Sequence, residues 1–286
     1  MCSSKNLYLK IYHAILPIVN NTQECKSITK LILNYYFNYD MLAIALGKDW
    51  SITKEEEKVL VNVIQRLKKH EPIQYILGEA HFLGRCFTVT PDVFIPRPET
   101  EEMVHYIIQE NQSPGLKIID IGTGSGCIAI TLKKVLEKSG VYALDIAENA
   151  LKVARENARK FDAKVHFIQA DIFSDAPLVG QWDIMVSNPP YVRLSEQKLM
   201  PKNVLHYEPP QALFVEDDKP LIFYTQIVAL AKTHLKRGGK VYLEINEAFG
   251  KTIADLLRYA GFEKVSVKQD LQGKDRWVIG TLDALF

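Results

Sequence analysis

The chain has 286 residues, 47% of them hydrophobic and 24% charged, and its 35 Lys and Arg against 34 Asp and Glu leave a formal net charge of +1. That length accommodates two domains, and the balanced charge gives no electrostatic footprint for gripping long nucleic acid. Cys2, Cys25, Cys86 and Cys127 are scattered, with no C-x-x-C pair and no accompanying His cluster, so incidental thiols in a reducing compartment are expected and a metal site is not.

Tyr8 to Ile18, Ser27 to Phe37, Asp40 to Leu46 and Glu55 to Leu67 carry apolar residues at helical spacing with little β patterning, which predicts a helical bundle over 1–71. Arg66-Leu67-Lys68-Lys69 reads as a solvated helix face. Ile11 to Val19 is broken by His13 and Pro17, and Leu221 to Ala231 contains Tyr224, Thr225 and Gln226. Neither segment has the character of a signal sequence or a membrane span, so a cytoplasmic protein is expected. Phe82 to Phe94 alternates around Gly84 and predicts a short hairpin within a linker over 72–98. Ile95-Pro96-Arg97-Pro98-Glu99-Thr100 then stiffens the entry to a catalytic domain over 99–286.

From Lys117 onward short β-rich runs alternate with helical runs, the pattern of an α/β sheet. Lys117 to Ile121 enters Gly122-Thr123-Gly124-Ser125-Gly126 and then a helix-like Cys127 to Glu137. A strand, a glycine loop and a helix in that order form a nucleotide-cofactor turn. The spacing is G-x-G-x-G, and Asp120 stands just before it. A carboxylate there repels a dinucleotide pyrophosphate and suits a cofactor with an amine and a sulfonium, which favours S-adenosylmethionine over NAD. Asp145 ends the strand Val141 to Leu144, roughly 20 residues beyond the loop, where an acid reaches ribose hydroxyls. Asp171 ends Val165 to Ala170 and is placed to accept from an adenine amino group, with Ile172 and Phe173 beside the ring.

Trp182 to Ser187 is the next apolar strand, and it runs into Asn188-Pro189-Pro190-Tyr191. Two prolines fix this loop and hold Asn188 extended. The Asn188 oxygen and the Pro189 carbonyl can each accept a proton of a planar NH2 group, with the Tyr191 ring over its plane. Lys240 to Asn246, Lys264 to Gln269 and Arg276 to Leu282 complete seven strands. A turn at Leu271-Gln272-Gly273-Lys274 makes the last strand antiparallel. The expected fold is a Rossmann-like class I methyltransferase sheet with a small N-terminal helical bundle.

Asp120 to Gly126 together with Asn188 to Tyr191 resembles the HemK/PrmC family of release factor glutamine methyltransferases. Further matches are Glu71-Pro72-Ile73-Gln74-Tyr75-Ile76-Leu77-Gly78, Phe94 to Glu101 and Glu208-Pro209-Pro210-Gln211-Ala212-Leu213. The Asn-Pro-Pro-Tyr loop is shared with DNA adenine enzymes, whereas the Gln-Tyr-Ile-Leu-Gly and Ile-Pro-Arg-Pro-Glu-Thr-Glu segments narrow the match. The resemblance implies an N-terminal domain that docks a class 1 peptide chain release factor. It also implies a catalytic domain that methylates the side-chain amide nitrogen of the glutamine in a Gly-Gly-Gln motif, turning S-adenosylmethionine into S-adenosylhomocysteine. The expected cofactor site is Asp120, Gly122, Thr123, Gly124, Ser125, Gly126, Asp145, Asp171, Ile172, Phe173 and Asn188. Substrate contacts are expected from Asn188, Pro189, Pro190 and Tyr191, of which Asn188, Pro189 and Tyr191 carry the catalysis. Ile172 stands where the family often has an aromatic residue, so Phe173 shares the stacking role.

Three rival readings explain less of the chain. A DNA or RNA adenine N6-methyltransferase needs a basic recognition surface or an inserted target-reading domain, and no charge run or insertion is visible. An NAD-dependent oxidoreductase leaves Asn188 to Tyr191 without a role. A non-catalytic binding protein should have a broken loop or a lost acid. Neither stable nucleic acid binding nor membrane association is therefore expected.

Overall fold

The computed structural model describes residues 2–19, 21–38, 42, 45, 46, 49, 50, 52–174 and 178–283. The chain forms two compact units, Met1–Gly78 with Pro201–Tyr207, and Glu79–Met200 with Glu208–Phe286. The stretch expected as a linker is thus divided, with 72–78 in the first unit and the hairpin in the second.

In the first unit a short strand, β1 (Cys2–Ser3), pairs antiparallel with β2 (Asp49–Trp50), and the helices are α1 (Ser4–Val19), α2 (Thr22–Phe37), α3 (Lys54–Lys68) and α4 (Ile73–Leu77). The helix expected over Asp40 to Leu46 falls largely outside the described residues. Capping sets the helix starts. The Asn21 side chain accepts from the Gln23 and Glu24 N–H groups to open α2, and Thr53 and Glu56 form a reciprocal capping box on α3. Glu55, Glu56 and Glu57 in the first turn of α3 and Arg66 and Lys68 in its last oppose the helix dipole favourably. Ile11 and Ile15, Ile32 and Leu33, Leu60 and Val63, and Ile73 and Ile76 bury the facing stripes of the four helices. Arg66 departs from the solvated reading of its segment: its guanidinium grips the Glu71 carboxylate at 2.8 and 2.5 Å and reaches the Tyr75 and Ile76 carbonyls. Arg66 thereby fixes the start of α4 against α3, while Lys68 and Lys69 stay exposed. A later helix, Lys202–Tyr207, belongs to this unit, and the Tyr207 hydroxyl donates to the Lys69 carbonyl at 3.0 Å.

The second unit opens with the hairpin β3 (Glu79–Phe82) and β4 (Arg85–Thr88). It lies earlier than the expected Phe82 to Phe94, because the turn itself is Leu83-Gly84. Both turn residues have positive φ, 43° and 74°, as a two-residue loop needs to follow the strand twist. The hairpin also brings Glu79, His81 and Cys86 within 4.8 Å of one another, a grouping of ligand chemistry that sequence spacing does not reveal. Burial, and then the neighbouring Glu79, push the Cys86 thiol up to about 11, so it stands as a neutral thiol.

The elements that follow are α5 (Pro98–Glu110), β5 (Lys117–Ile121), α6 (Cys127–Val135), β6 (Gly140–Asp145), α7 (Glu148–Lys160), β7 (Val165–Gln169), β8 (Trp182–Ser187), a short parallel pair β9 (Val192–Arg193) and β10 (Phe214–Val215), α9 (Ile222–His234), β11 (Leu235–Glu244), α10 (Gly250–Tyr259), β12 (Phe262–Gln269) and β13 (Asp275–Leu282), with Lys202–Tyr207 as α8. The seven-stranded sheet has the order β12-β13-β11-β8-β5-β6-β7. β13 is antiparallel to both its neighbours, and the other described pairings of this sheet are parallel, as the sequence predicts. Alternate residues feed two cores. Ile118, Ile184, Val186 and Tyr242 pack with Met103 and Ile107 of α5 and Ile128 of α6. Ile119, Ile121, Met185, Val241 and Leu243 pack with Ile227 of α9 and Ile253 and Leu257 of α10. Strand order reverses between β5 and β8, so the crevice beyond their carboxyl ends is the expected place for a ligand. No helix among the described residues is long and apolar enough to cross a membrane.

Gly126 begins α6 at φ 81°, and a Cβ there would stand 2.9 Å from Ile130 Cδ1 and 3.1 Å from Ala154 Cβ. Left-handed backbone strain and overpacking add, so Gly126→Ala is expected to cost about 2–4 kcal/mol. Urea unfolding followed by circular dichroism measures this, and a loss below about 0.5 kcal/mol, the range of neutral surface changes, would contradict the packing role.

Candidate active site

The glycine loop is fastened to the neighbouring strand by hydrogen bonds within the protein. The Gly122 and Thr123 N–H groups donate to the Leu144 carbonyl at 2.8 and 3.0 Å, and Gly124 N–H donates to Asp145 Oδ2 at 2.9 Å. Asp145 Oδ1 takes the Ala147 N–H at 2.9 Å. Burial raises the Asp145 pKa, and these backbone donors pull it part of the way back. Gly122 and Gly124 have φ of 73° and 53°, and a Cβ on either would meet nothing within 4 Å. Glycine is required there for its conformation, and the backbone borders open space. Asn157, fully buried on α7, donates to the Thr88 and Ser125 carbonyls and accepts from Thr88 N–H, so its amide ties the glycine loop at Ser125 to β4 at Thr88.

That open space is a cavity of about 390 Å³, within the size range of small-molecule sites. Gly122, Thr123, Gly124, Ser125, Asp145, Asp171, Ile172 and Phe173 line it from β5, β6 and β7, and Asn188, Pro189, Pro190 and Tyr191 line it from β8. Two expected cofactor residues do not line it. Gly126 lies in the α6–α7 contact described above. Asp120 is fully buried beneath the loop, where Oδ2 accepts from the Thr123 hydroxyl at 2.6 Å and Oδ1 has no hydrogen-bond partner. Burial pushes the Asp120 carboxyl up to about 7. Asp171 is exposed, with Oδ1 taken by Phe173 N–H. Ile172 is buried, its carbonyl held by Gln226, and Phe173 is half exposed, edge-on to Phe223 at 5.4 Å. The two hydrophobic groups thus form an apolar slot suited to a flat ring.

Phe94, Pro96, Pro209 and Leu213 add apolar wall. Their two segments are clamped together. Arg97 pairs with Glu208 and lies over the Phe94 ring at 4.4 Å, and Ile95 N–H donates to the other Glu208 oxygen at 3.3 Å.

Behind Asn188 lies a chain of polar groups that motif reading missed. Asn188 Nδ2 donates to Thr100 Oγ1 at 3.2 Å, and the Thr100 hydroxyl donates to Glu244 Oε2 at 2.6 Å. The Tyr191 hydroxyl donates to Glu244 Oε1 at 3.3 Å, and Tyr224 donates to the Glu244 carbonyl at 3.0 Å. Glu244 is 2% exposed, and burial pushes its carboxyl up to about 7. A charged residue ending the apolar run Val241-Tyr242-Leu243 was the signal available in the sequence, since carboxylates are almost never fully buried without partners.

Comparison with known proteins gives two family matches, a Methyltransferase domain over residues 112–273 and a PrmC N-terminal domain over residues 21–78. The release factor glutamine methyltransferase of Bacteroides thetaiotaomicron is 46% identical over 255 residues, covering 89% of this chain and 91% of that protein. That of Flavobacterium psychrophilum is 41% identical over 278 residues, covering 96% and 97%. Among solved structures, a methyltransferase from Pyrococcus furiosus superposes with a TM-score of 0.53 at 18% identity over 81% of this chain and 100% of that one, a likeness of fold.

Proposed function

Because the chain belongs to the release factor glutamine methyltransferase family, we propose that it methylates the side-chain amide nitrogen of the glutamine in the Gly-Gly-Gln motif of class 1 release factors, with S-adenosylmethionine as donor. The observation that carries this reading is that the glycine loop and the Asn188 to Tyr191 loop, at the ends of adjacent strands β5 and β8, line one cavity. Gly122 to Ser125, Asp145 and the Ile172–Phe173 slot are the groups to hold the donor, which supplies an electrophilic methyl on a sulfonium. Their chemistry suits it: a carboxylate at Asp145 for the ribose hydroxyls, a backbone approach at glycine, and an apolar slot for adenine.

The remaining work falls to Asn188 and Pro189. An amide nitrogen is a poor nucleophile because its lone pair is delocalised into the carbonyl. Holding it in line is therefore the dominant contribution, worth about 7–11 kcal/mol when positioning is complete. Asn188 Oδ1 and the Pro189 carbonyl accept hydrogen bonds from its two N–H groups, and these bonds strengthen as positive charge builds on nitrogen; one N–H proton is then released to solvent, leaving the N-methylated amide neutral. Tyr191 is partly buried, and loss of solvent around its hydroxyl raises its pKa, so it serves as a neutral wall and hydroxyl donor rather than a base. The helical first unit is assigned the docking of the release factor, whose contacts far from the glutamine help to position it.

Incubating the full-length protein with a class 1 release factor and methyl-labelled S-adenosylmethionine, followed by peptide mass spectrometry, tests the assignment. One labelled methyl on the Gly-Gly-Gln glutamine is expected. Label in DNA or RNA, with binding that falls steeply with salt, would establish the adenine methyltransferase alternative instead.

A further inference from the structure

We propose that Glu244, acting through the Thr100 hydroxyl, decides which way round the Asn188 amide sits and so presents its oxygen, not its nitrogen, to the substrate. The inference rests on the proposed role of Asn188 as acceptor of the substrate amide protons. The two ends of an asparagine amide have nearly the same shape, and only Oδ1 can accept a proton. A reversed Asn188 would aim an NH2 group at the substrate NH2 and leave both unpaired. Nothing in the proline-stiffened backbone selects the correct rotamer, because a half-turn of the amide does not change its volume.

The hydrogen-bond chain makes the selection. An ionised carboxylate can only accept, so the Thr100 and Tyr191 hydroxyls both turn their protons toward Glu244. Thr100 has a single proton, and once this is given to Glu244 its oxygen can only accept on the other side. Asn188 must then turn Nδ2 toward Thr100, as it does at 3.2 Å. No hydrogen bond is donated to Asn188 Oδ1 by the described residues, and Asn188 and Thr100 both line the cavity. A reversed amide would place Oδ1 against the Thr100 oxygen with no proton between them. The placement of Glu244 follows from sheet register, since Leu243 of β11 stands beside Ser187 of β8, which puts the next residues of the two strands together.

Protonation of Glu244 reverses the logic. A neutral carboxyl can donate to Thr100, which frees the Thr100 proton for Asn188 and allows the reversed amide. The groups around Glu244 are Thr100 and Glu99 at the start of α5, Tyr191, Tyr224 of α9, Arg276 of β13 and Cys127 of α6. Burial and Glu99 favour the neutral form, whereas Thr100, Tyr191 and Arg276 favour the carboxylate, and the balance falls near 7. Turnover is therefore expected to decline as pH falls through that value.

The test compares wild type with Glu244→Gln, Thr100→Val, Thr100→Ser and the Glu244→Gln/Thr100→Val double variant, using a release factor as acceptor. Steady-state kinetics from pH 6 to 8.5, cofactor Kd by calorimetry and melting temperature are measured for each. Glu244→Gln and Thr100→Val are expected to lower kcat about 10- to 100-fold with cofactor Kd within a few-fold, and to lose the step in kcat near pH 7. Thr100→Ser should recover most of the rate and the step. The double variant should be no slower than the slower single variant, since both break one chain. Wild-type kcat in Thr100→Val, or multiplicative losses in the double variant, would overturn the proposal. If Asn188→Ala is inactive while Glu244→Gln and Thr100→Val remain fully active, the orienting chain is wrong and the role of Asn188 stands; if Asn188→Ala is active, the underlying role itself is wrong.

Discussion

Asn188→Ala is expected to lower kcat by about 10²- to 10³-fold, the size of loss seen when one preorganised transition-state hydrogen bond is removed. Affinity for S-adenosylmethionine should stay within a few-fold. Asn188 follows β8, whose buried residues Ile184 to Val186 keep their places in the two cores, and the glycine loop is fastened to β6 by bonds that do not involve it. The loss should therefore fall on turnover and not on folding. Steady-state kinetics with release factor, alongside calorimetric titration of the cofactor, separates the two. Retention of most of the wild-type turnover would remove Asn188 from the mechanism, and a parallel collapse of cofactor affinity would reassign it to the donor site.

Arg97→Ala should cost about 3–5 kcal/mol of stability, because it strands a buried charge. The Glu208 side chain is 1% exposed and its ion-pair partner is Arg97. Burial raises the Glu208 pKa, and the Arg97 guanidinium opposes that rise. Without the guanidinium the folded-state pKa climbs further above its unfolded value. The folded state of the variant then binds a proton that the unfolded state has released, and its stability declines as pH rises from the unfolded carboxylate range toward the new folded value. The difference from wild type should accordingly be small at and below the usual carboxylate range and grow as pH rises above it. Urea unfolding within that range and well above it measures the difference, and a loss independent of pH would show that packing of Arg97 on Phe94, rather than charge, is what matters. Because Phe94 and Pro96 on one segment and Pro209 and Leu213 on the other wall the cavity, the variant should also bind its acceptor less well.

The sheet could be read from the sequence because buried parallel strands appear as short, largely apolar runs such as Lys117-Ile118-Ile119-Asp120-Ile121 and Trp182 to Ser187. Helix ends were read less well. α2 begins at Thr22 rather than Ser27 because its start is set by the Asn21 cap, a local hydrogen bond that apolar spacing does not register. β11 begins at Leu235, ahead of Gly238 and Gly239, and its register with β8 shifts before Lys240, so only the regular part resembled a strand. The motif residues Gly122 to Ser125 and Asn188 to Tyr191 do line the cavity, but Asp120 and Gly126 carry the loop from beneath it, because a motif records which residues are required and not which surface they face. Thr100, within Ile-Pro-Arg-Pro-Glu-Thr-Glu, and Glu244, at the end of an apolar run, stand in the sequence with no local sign of each other. Their meaning lies in a contact between residues far apart in sequence, which no local pattern contains.

The first unit is not a continuous piece of chain, since α8 and its Tyr207–Lys69 bond come from residues 201–207. On a ribosome the described helices α1 to α4 therefore emerge well before their last neighbour. At about 5–20 residues per second the interval is on the order of 10 s, long beside the microseconds in which helices form. The nascent chain thus carries an incomplete bundle through the synthesis of the glycine loop, β8 and the Asn188 loop, and the bundle gains its final segment only after those parts of the catalytic unit exist. The glycine loop and the Asn188 loop are made before the N-terminal unit is closed, so a chain that stops short of residue 207 leaves that unit unfinished, whatever the state of its own helices.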